Sequence, residues 1–367
     1  MGKLDWYILK KFLVTFFFCM MLFLVVAVAV DSSEKTDDFV KSGLSGWEIV
    51  KQYYFGFVPH IWGLLFPLFV FIAVIFFTSR MATRSEIIAI LASGTSYNRM
   101  LRPYLVGGLF LGIILWLGNR YVIHRANAIR TTFQANYIDR DDPTKNVQTN
   151  SSCYNCFYQR VDPNTYIGIK SYIPASKTAS GGFFLQRVKD GKVVYNVRAG
   201  TIQWDEQRKQ WKLLKAVERK IDSLGETTKE YPTLYLNINL KPEELRKDDY
   251  LKDKLSTPEL IKYIQKEELR GREGLSALQV ERYRRTATPA AVLLLTVIGA
   301  VIASRKTRGG SGMHLAIGIV TGALFIMSDR FSTVFATKSN LPPLLAAWIP
   351  NIIFSFVAFY MYRRTPK

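Results

Sequence analysis

The chain has 367 residues, a formal charge of +20 and an apolar share of 49%. That share is ordinary for a soluble protein, but apolar residues crowd the first and last thirds while the middle is polar. A single soluble globule is therefore excluded. The basic excess, with no compact Lys/Arg run of the kind that grips nucleic acid, belongs to the edges of membrane spans.

The first apolar run, Phe12–Val30, follows Lys3, Lys10 and Lys11 and is about as long as a helix needs to cross a bilayer. Its flank VDSSEKTDDF lacks the small-residue cut site of a signal peptide, so it reads as an uncleaved first span. A polar loop with Asp31, Glu34, Lys35, Asp37, Asp38 and Lys41 comes next, then a second span at Ile61–Ser79 with Pro67 inside it. Between the second span and a third, from about Tyr104 to Val122, lies TRSEIIAILASGTSYNRMLRP. Thr83 and Glu86 have the spacing of a capping box. Ile87, Ile90 and Leu91 fall on one helical face, and Gly94 is a natural stop. This spacing predicts a short amphipathic helix over residues 83–94, ringed by Arg80, Arg84, Arg99 and Arg102. Such a helix can offer its apolar stripe and its carboxylate to another protein, or Glu86 can be a cap and nothing more.

Residues 124–255 change character. Short β-rich segments such as TYIGIKSY, GGFFLQRV and KVVYNVRAGTIQW are punctuated by Asp162-Pro163-Asn164, Gly181-Gly182, Asp190-Gly191 and Leu224-Gly225. This spacing predicts an antiparallel sandwich or roll. Phe183, Phe184, Leu185, Val193, Val194 and Val197 would form its interior. Residues 256–285 read as a helical connector: Thr257-Pro258-Glu259 opens one helix, and Ser276 with Gln279 opens another. Three further spans follow over 286–367, at about Thr286–Ser304, His314–Met327 and Leu344–Tyr362. Gly309-Gly310-Ser311-Gly312 lacks the strand and Lys of a phosphate loop and reads as a flexible turn. Cys153 and Cys156 form C-x-x-C, which is half of a zinc site, a local disulfide or an incidental pair.

Orientation follows from the short connections. One side holds thirteen basic residues: Lys3, Lys10, Lys11, Arg80, Arg84, Arg99, Arg102, Arg305, Lys306, Arg308, Arg363, Arg364 and Lys367. The other side holds five: Lys35, Lys41, Lys51, Arg330 and Lys338. Both termini are thus expected in the cytoplasm and the β domain outside. No Walker-type G-x-x-x-x-G-K-[ST], G-x-S-x-G or H-E-x-x-H occurs, and His60, His124 and His314 are scattered. No catalytic, metal or cofactor site is expected.

RSEIIAILASG, the LDWY start, ERYRRTATPAAVLL and LPPLLAAWIPNIIF together resemble the YjgP/YjgQ permease family, which contains LptF and LptG, with the LptG branch the nearer. The resemblance spans the whole chain. It implies an inner-membrane α-helical protein of six transmembrane helices with an inserted antiparallel β-jellyroll-like periplasmic domain. It also implies a heterodimer with a homologous permease subunit, a cytoplasmic ABC ATPase dimer, lipopolysaccharide as cargo and a periplasmic β-jellyroll bridge protein as receiver. ATP hydrolysis would belong to the partner, and this chain would be no enzyme. By the same resemblance Arg84, Glu86, Ile87, Ile90, Leu91 and Gly94 form the ATPase-coupling surface, and spans one and five line lateral gates. Lys35, Lys41 and Arg330 would meet the lipid's phosphates, or lie in a solvated mixed-charge loop. Arg330 would otherwise pair with Asp329. Phe66, Phe69, Phe325 and Met327 would wall the lipid cavity, or face lipid tails and neighbouring helices. The alternative is a membrane sensor or scaffold with an extracytoplasmic β domain.

Overall fold

The computed structural model describes residues 2–138, 157–173, 176–222, 225–245, 250–270, 274–305, 310–339 and 341–364. Cys153 and Cys156 lie outside them. The chain divides into a helical unit (residues 1–141, 252–261 and 276–367) and a β unit (142–251 and 262–275).

Among the described residues of the helical unit, six helices are long and apolar enough to cross a membrane. The first is α1, Lys3–Glu34; α2 (Thr36–Ser42) and α3 (Gly46–Ile49) follow. Through a π-helical turn at Val50–Tyr54, α3 runs into α4, Phe55–Thr83, which tolerates Pro59 and Pro67. A short α5, Glu86–Ala92, leads to α6, Tyr97–Leu117, and through a second π turn to α7, Ile123–Phe133. The change of character expected at residue 124 therefore comes later, since the third span stays helical to Ile138. After the β strands come α8 (Leu251–Lys254), α9 (Thr257–Leu269), α10 (Ser276–Ala303), α11 (Gly310–Lys338) and α12 (Pro343–Arg363). Gly310, Ser311 and Gly312 are thus the first turn of α11 rather than a flexible loop.

The helices outrun the apolar windows that announce them. At about 1.5 Å per residue α1 is roughly 48 Å long, well beyond a hydrocarbon core of about 30 Å. Apolar side chains gain little by leaving lipid for one another, so packing and buried hydrogen bonds hold such helices together. The central cluster joins Phe12 and Phe16 of α1 to Phe66, Val70 and Phe77 of α4 and to Met100 and Tyr104 of α6. Phe77 stacks on Tyr104 with centroids 5.4 Å apart, and the Tyr104 and Thr78 hydroxyls share a buried hydrogen bond of 2.9 Å. A second cluster joins Phe71 and Ile75 of α4 to Leu295 and Ile298 of α10 and Phe354 of α12. The buried Asn351 side chain of α12 donates to the Ala287 carbonyl of α10 at 2.8 Å.

Burial is unevenly shared. In the apolar windows of the second, third and fourth spans, 61%, 50% and 61% of residues are buried, against 11% for α1 and 17% for α11. Those two helices lie at the periphery and carry exposed apolar flanks, Phe17, Phe18, Met21, Leu22 and Val25 on one and Ile319, Val320, Leu324 and Phe331 on the other.

The β unit is an antiparallel meander of six strands in the order β1 to β6: Phe157–Asp162, Thr165–Ile173, Thr178–Lys189, Lys192–Asp205, Gln210–Asp222 and Gly225–Leu236. Asp162-Pro163-Asn164 and Asp190-Gly191 turn hairpins as expected, the latter with φ of 52° and 75°. Gly181-Gly182 does not turn the chain. It is a bulge inside β3, with φ of 82° and 129°. The β2 register slips between Ile169 and Ser171, Lys215 of β5 has φ 52°, and Pro232 interrupts β6 opposite it. These irregularities fall on four strands, β2, β3, β5 and β6, and such positions bend a sheet. The expected roll is therefore one sheet creased along a line, not two separate sheets. Residues from both sides of the crease, among them Ala179, Ile202, Phe183, Leu185 and Val197, enter one core closed by Ile238, Leu240 and Leu245. Trp211 is fully buried there and donates its indole N–H to the Leu240 carbonyl at 2.8 Å. Phe184 instead faces away from that core and packs on Tyr158, ring centroids 5.9 Å apart. Val193 and Val194 are half-buried near the β3–β4 hairpin.

Candidate functional site

The capping box expected at Thr83 and Glu86 does not form. Thr83 stays in the last turn of α4, where its hydroxyl donates to the Ser79 carbonyl at 2.9 Å. The next helix starts at Glu86 with Ser85 in the N-cap position, so Thr83 lies too early to make the box. The chain turns instead at Ser85, whose φ of 60° is left-handed, and α5 begins with no side-chain cap. A non-glycine residue in that conformation costs about 1 kcal/mol. Gly94 ends the helix as its type suggests: at φ 85° its amide donates to the Leu91 carbonyl at 3.1 Å.

Relieved of capping, the Glu86 carboxylate reaches the beginning of α1. The Tyr7 hydroxyl donates to Glu86 Oε2 at 3.1 Å, and Lys11 Nζ lies 3.5 Å from the same oxygen. Lys11 also donates to the Tyr7 hydroxyl and sits over the Tyr7 ring, 4.2 Å from its centroid. The three side chains form one cluster, with 36% of Lys11 and 27% of Glu86 exposed. An ion pair so open to solvent adds only about 0–1 kcal/mol of stability. Its effect is positional: it fixes which part of the molecule α5 leans on.

The apolar stripe also differs from expectation. Ile87 is buried, and Ile90 and Leu91 are half-buried against the same cluster as Ile8, Phe12 and Met81. The stripe that was to be offered to another protein is spent on this chain's own core. What α5 presents outward is Ile88, 51% exposed, with Ala89, Ala92 and Ser93, flanked by Arg84 and Arg99. Sequence reasoning missed Ile88, which sits next to the stripe, and it missed Tyr7 and Lys11.

The residues expected to meet lipid fall into three groups. Lys35 is not in an open loop, because α1 continues to Glu34 and brings Asp31 beneath it. The Lys35 ammonium is 2.5 Å from Asp31 Oδ1, donates to the Tyr53 hydroxyl and lies over the Tyr53 ring. The Tyr53 hydroxyl in turn donates to the same Asp31 oxygen at 3.1 Å. Phe66 and Phe69 face a neighbouring helix, the alternative expected for them. Phe66 is fully buried against Phe16 (4.9 Å), and Phe69 packs on Phe23 (4.7 Å). Phe325 is half-buried on Phe354 at 5.1 Å. Exposed residues make up the third group: Lys41, Met327 and Arg330. Arg330 does not pair with Asp329 in the structure. Asp329 bonds across to Arg284 of α10 at 2.9 Å, and Arg284 also donates to Thr333 at 2.5 Å.

In the β unit, a trough of about 830 Å³ is lined by Tyr158, Phe184 and Val217 and by the cations Lys170, Arg198 and Lys215. Tyr195 lies at another point on the sheet. Burial first, and then its hydrogen bond to Glu218 at 2.9 Å, push its phenol up to about 12. Among the described residues no group of His, Cys, Asp and Glu is placed to hold a metal ion.

No curated protein matches the chain. The family model described as "Lipopolysaccharide export system permease LptF/LptG" matches residues 6–364, a description that covers both branches. Six apolar helices interrupted by an antiparallel β unit, matched almost end to end, place this chain in the LptF/LptG family of lipopolysaccharide export permeases.

Proposed function

We propose that the chain is one of two homologous permease subunits in an ATP-driven exporter. The exporter takes lipopolysaccharide out of the inner membrane and passes it to a β-jellyroll bridge in the periplasm. A separate ABC ATPase dimer supplies the energy from the cytoplasmic side, where both termini lie, and it docks on the α5 segment.

The observation that carries this reading is the sparse burial of the first and fifth spans. Helices with 11% and 17% of their apolar windows buried, against 33% for the sixth span and 50–61% for the other three, present flanks that this chain does not cover itself. Those flanks are apolar enough to touch acyl chains or a second permease. A sensor needs no such pair of uncovered spans. The docking surface is read from the outward face of α5, with Ile88 and Ala92 as apolar contacts and Arg84 beside them. Glu86 remains within reach of a partner's cation through its exposed quarter. Arg330 and Lys41 are exposed and suit lipid phosphates. Lys35 reaches a phosphate only by leaving Asp31.

Purification in mild detergent tests the reading. The wild-type chain should bring down an ATPase, a second permease and lipopolysaccharide, and Glu86→Ala should insert normally yet lose most of the ATPase. A lone monomer without lipid would point to the sensor or scaffold. Glu86→Ala retaining the ATPase as well as wild type would remove the docking assignment. Depleting the chain should leave newly made lipopolysaccharide in the inner membrane.

A further inference from the structure

A helix that receives force must hand it on. The firmest covalent route from α5 leads into α4 and α6, which are well-buried spans. The span with the least burial, α1, is separated from α5 by α2, α3 and the whole of α4. Yet α1 is tied to α5 directly. Tyr7 and Lys11 are one helical turn apart and therefore stand on one face of α1. Both converge on one carboxylate oxygen of Glu86, at 3.1 and 3.5 Å. Lys11 also meets Tyr7, so the two donors brace each other. Immediately beyond them Ile8 and Phe12 of α1 enter the same buried cluster as Ile87 of α5. A polar clasp thus closes over an apolar contact at the first turns of the span that is otherwise least held.

We infer that Tyr7 and Lys11 are positioning residues that carry displacement of α5 into α1, so that one carboxylate serves both the docking of the ATPase and the movement of the first span. This rests on the docking reading above, because only a driven α5 has displacement to pass on. The clasp is short, charged and partly open to water. It can therefore hold in one arrangement and yield in another, as a rigid apolar joint cannot. On the docking reading α5 moves first and α1 follows.

The test uses the complete exporter reconstituted in vesicles of phospholipid and purified rough lipopolysaccharide. The variants are Lys11→Ala, Tyr7→Phe and the pair together, with Lys11→Arg as the conservative control. Three quantities are read: ATPase retained per permease, ATP hydrolysed, and lipopolysaccharide released per ATP. The proposal expects Lys11→Ala and Tyr7→Phe to keep the ATPase and its hydrolysis near wild type while release per ATP falls by about three- to ten-fold. It expects Lys11→Arg to recover most of the loss. A merely structural role would lower all three readings together. Unchanged release per ATP in the double variant would overturn the proposal. So would loss of the ATPase in the double variant, because Tyr7 and Lys11 would then only prop Glu86 for docking. Failure of the docking reading is seen separately, as ATPase retained by Glu86→Ala.

Discussion

At the scale of single residues, what matters is which groups already have company. Glu86 could have completed a capping box with Thr83; the helix instead starts at Glu86 itself, and its carboxylate meets Tyr7 and Lys11. Lys35 could have met a phosphate, but Asp31 and Tyr53 hold it. Tyr195 allows a prediction with a sign. Its phenol ordinarily titrates near 10, and in the fold it is pushed up to about 12, first by burial and then by Glu218. The folded chain therefore keeps a proton that the unfolded chain has lost. The stability from this group is intact below pH 10 and drains away as pH rises toward 12. Tyr195→Phe, which cannot ionise, should lose less protection across that window than wild type, read by hydrogen exchange of β4 and β5 in the full chain. Equal losses would mean that Tyr195 does not govern the alkaline limb.

At the scale of elements, two tethers fasten the two peripheral helices. The Tyr7–Lys11–Glu86 cluster holds the start of α1, and Arg284 holds α11 through Asp329 and Thr333. Neither tether is apolar, so each can be cut without emptying a core. Arg284→Ala should raise the mobility of a spin label at Phe335→Cys on α11 while leaving a label on α10 unchanged; a rigid α11 would show that packing alone holds it. The crease of the β sheet is a device of the same scale. Gly181-Gly182, Lys215 and Pro232 each disturb one strand, and together they bend the sheet. The diglycine pattern signals both turns and bulges, which is why the sequence reading put a turn inside what is one strand of twelve residues. Pro232 is tolerated because β6 is an edge of the sheet among the described residues.

At the scale of the whole molecule, five spans were legible as bilayer-length apolar runs, while the fifth in order showed only the shorter run His314–Met327 inside the helix Gly310–Lys338. The true ends of the spans were not legible. α1 continues to Glu34 because Asp31 and Lys35 satisfy each other a turn apart, and α3 flows into α4 through a π turn. Neither feature has an apolar signature. The short helix α5 was legible in outline, with Gly94 closing it. Its orientation was not, because the choice of which apolar face turns inward is made by Ile8, Phe12 and Met81, remote in sequence. The partners of Glu86 lie 79 and 75 residues away, and no local spacing points to them. Sidedness gives the test at this scale. A thiol introduced at Ser93, in a chain freed of its own cysteines, should resist a membrane-impermeant reagent in intact cells and react once the inner face is opened. Labelling from outside would reverse the whole topology.

The thin packing of α1 and α11 also bears on how such a subunit is made. Apolar flanks cost little against lipid tails, which are as apolar as they are, so the chain can rest in the bilayer with most of two spans uncovered by itself. If a second permease covers them, as proposed above, that surface passes from lipid to protein with little change in apolar free energy, and pairing can wait until both chains are in the membrane.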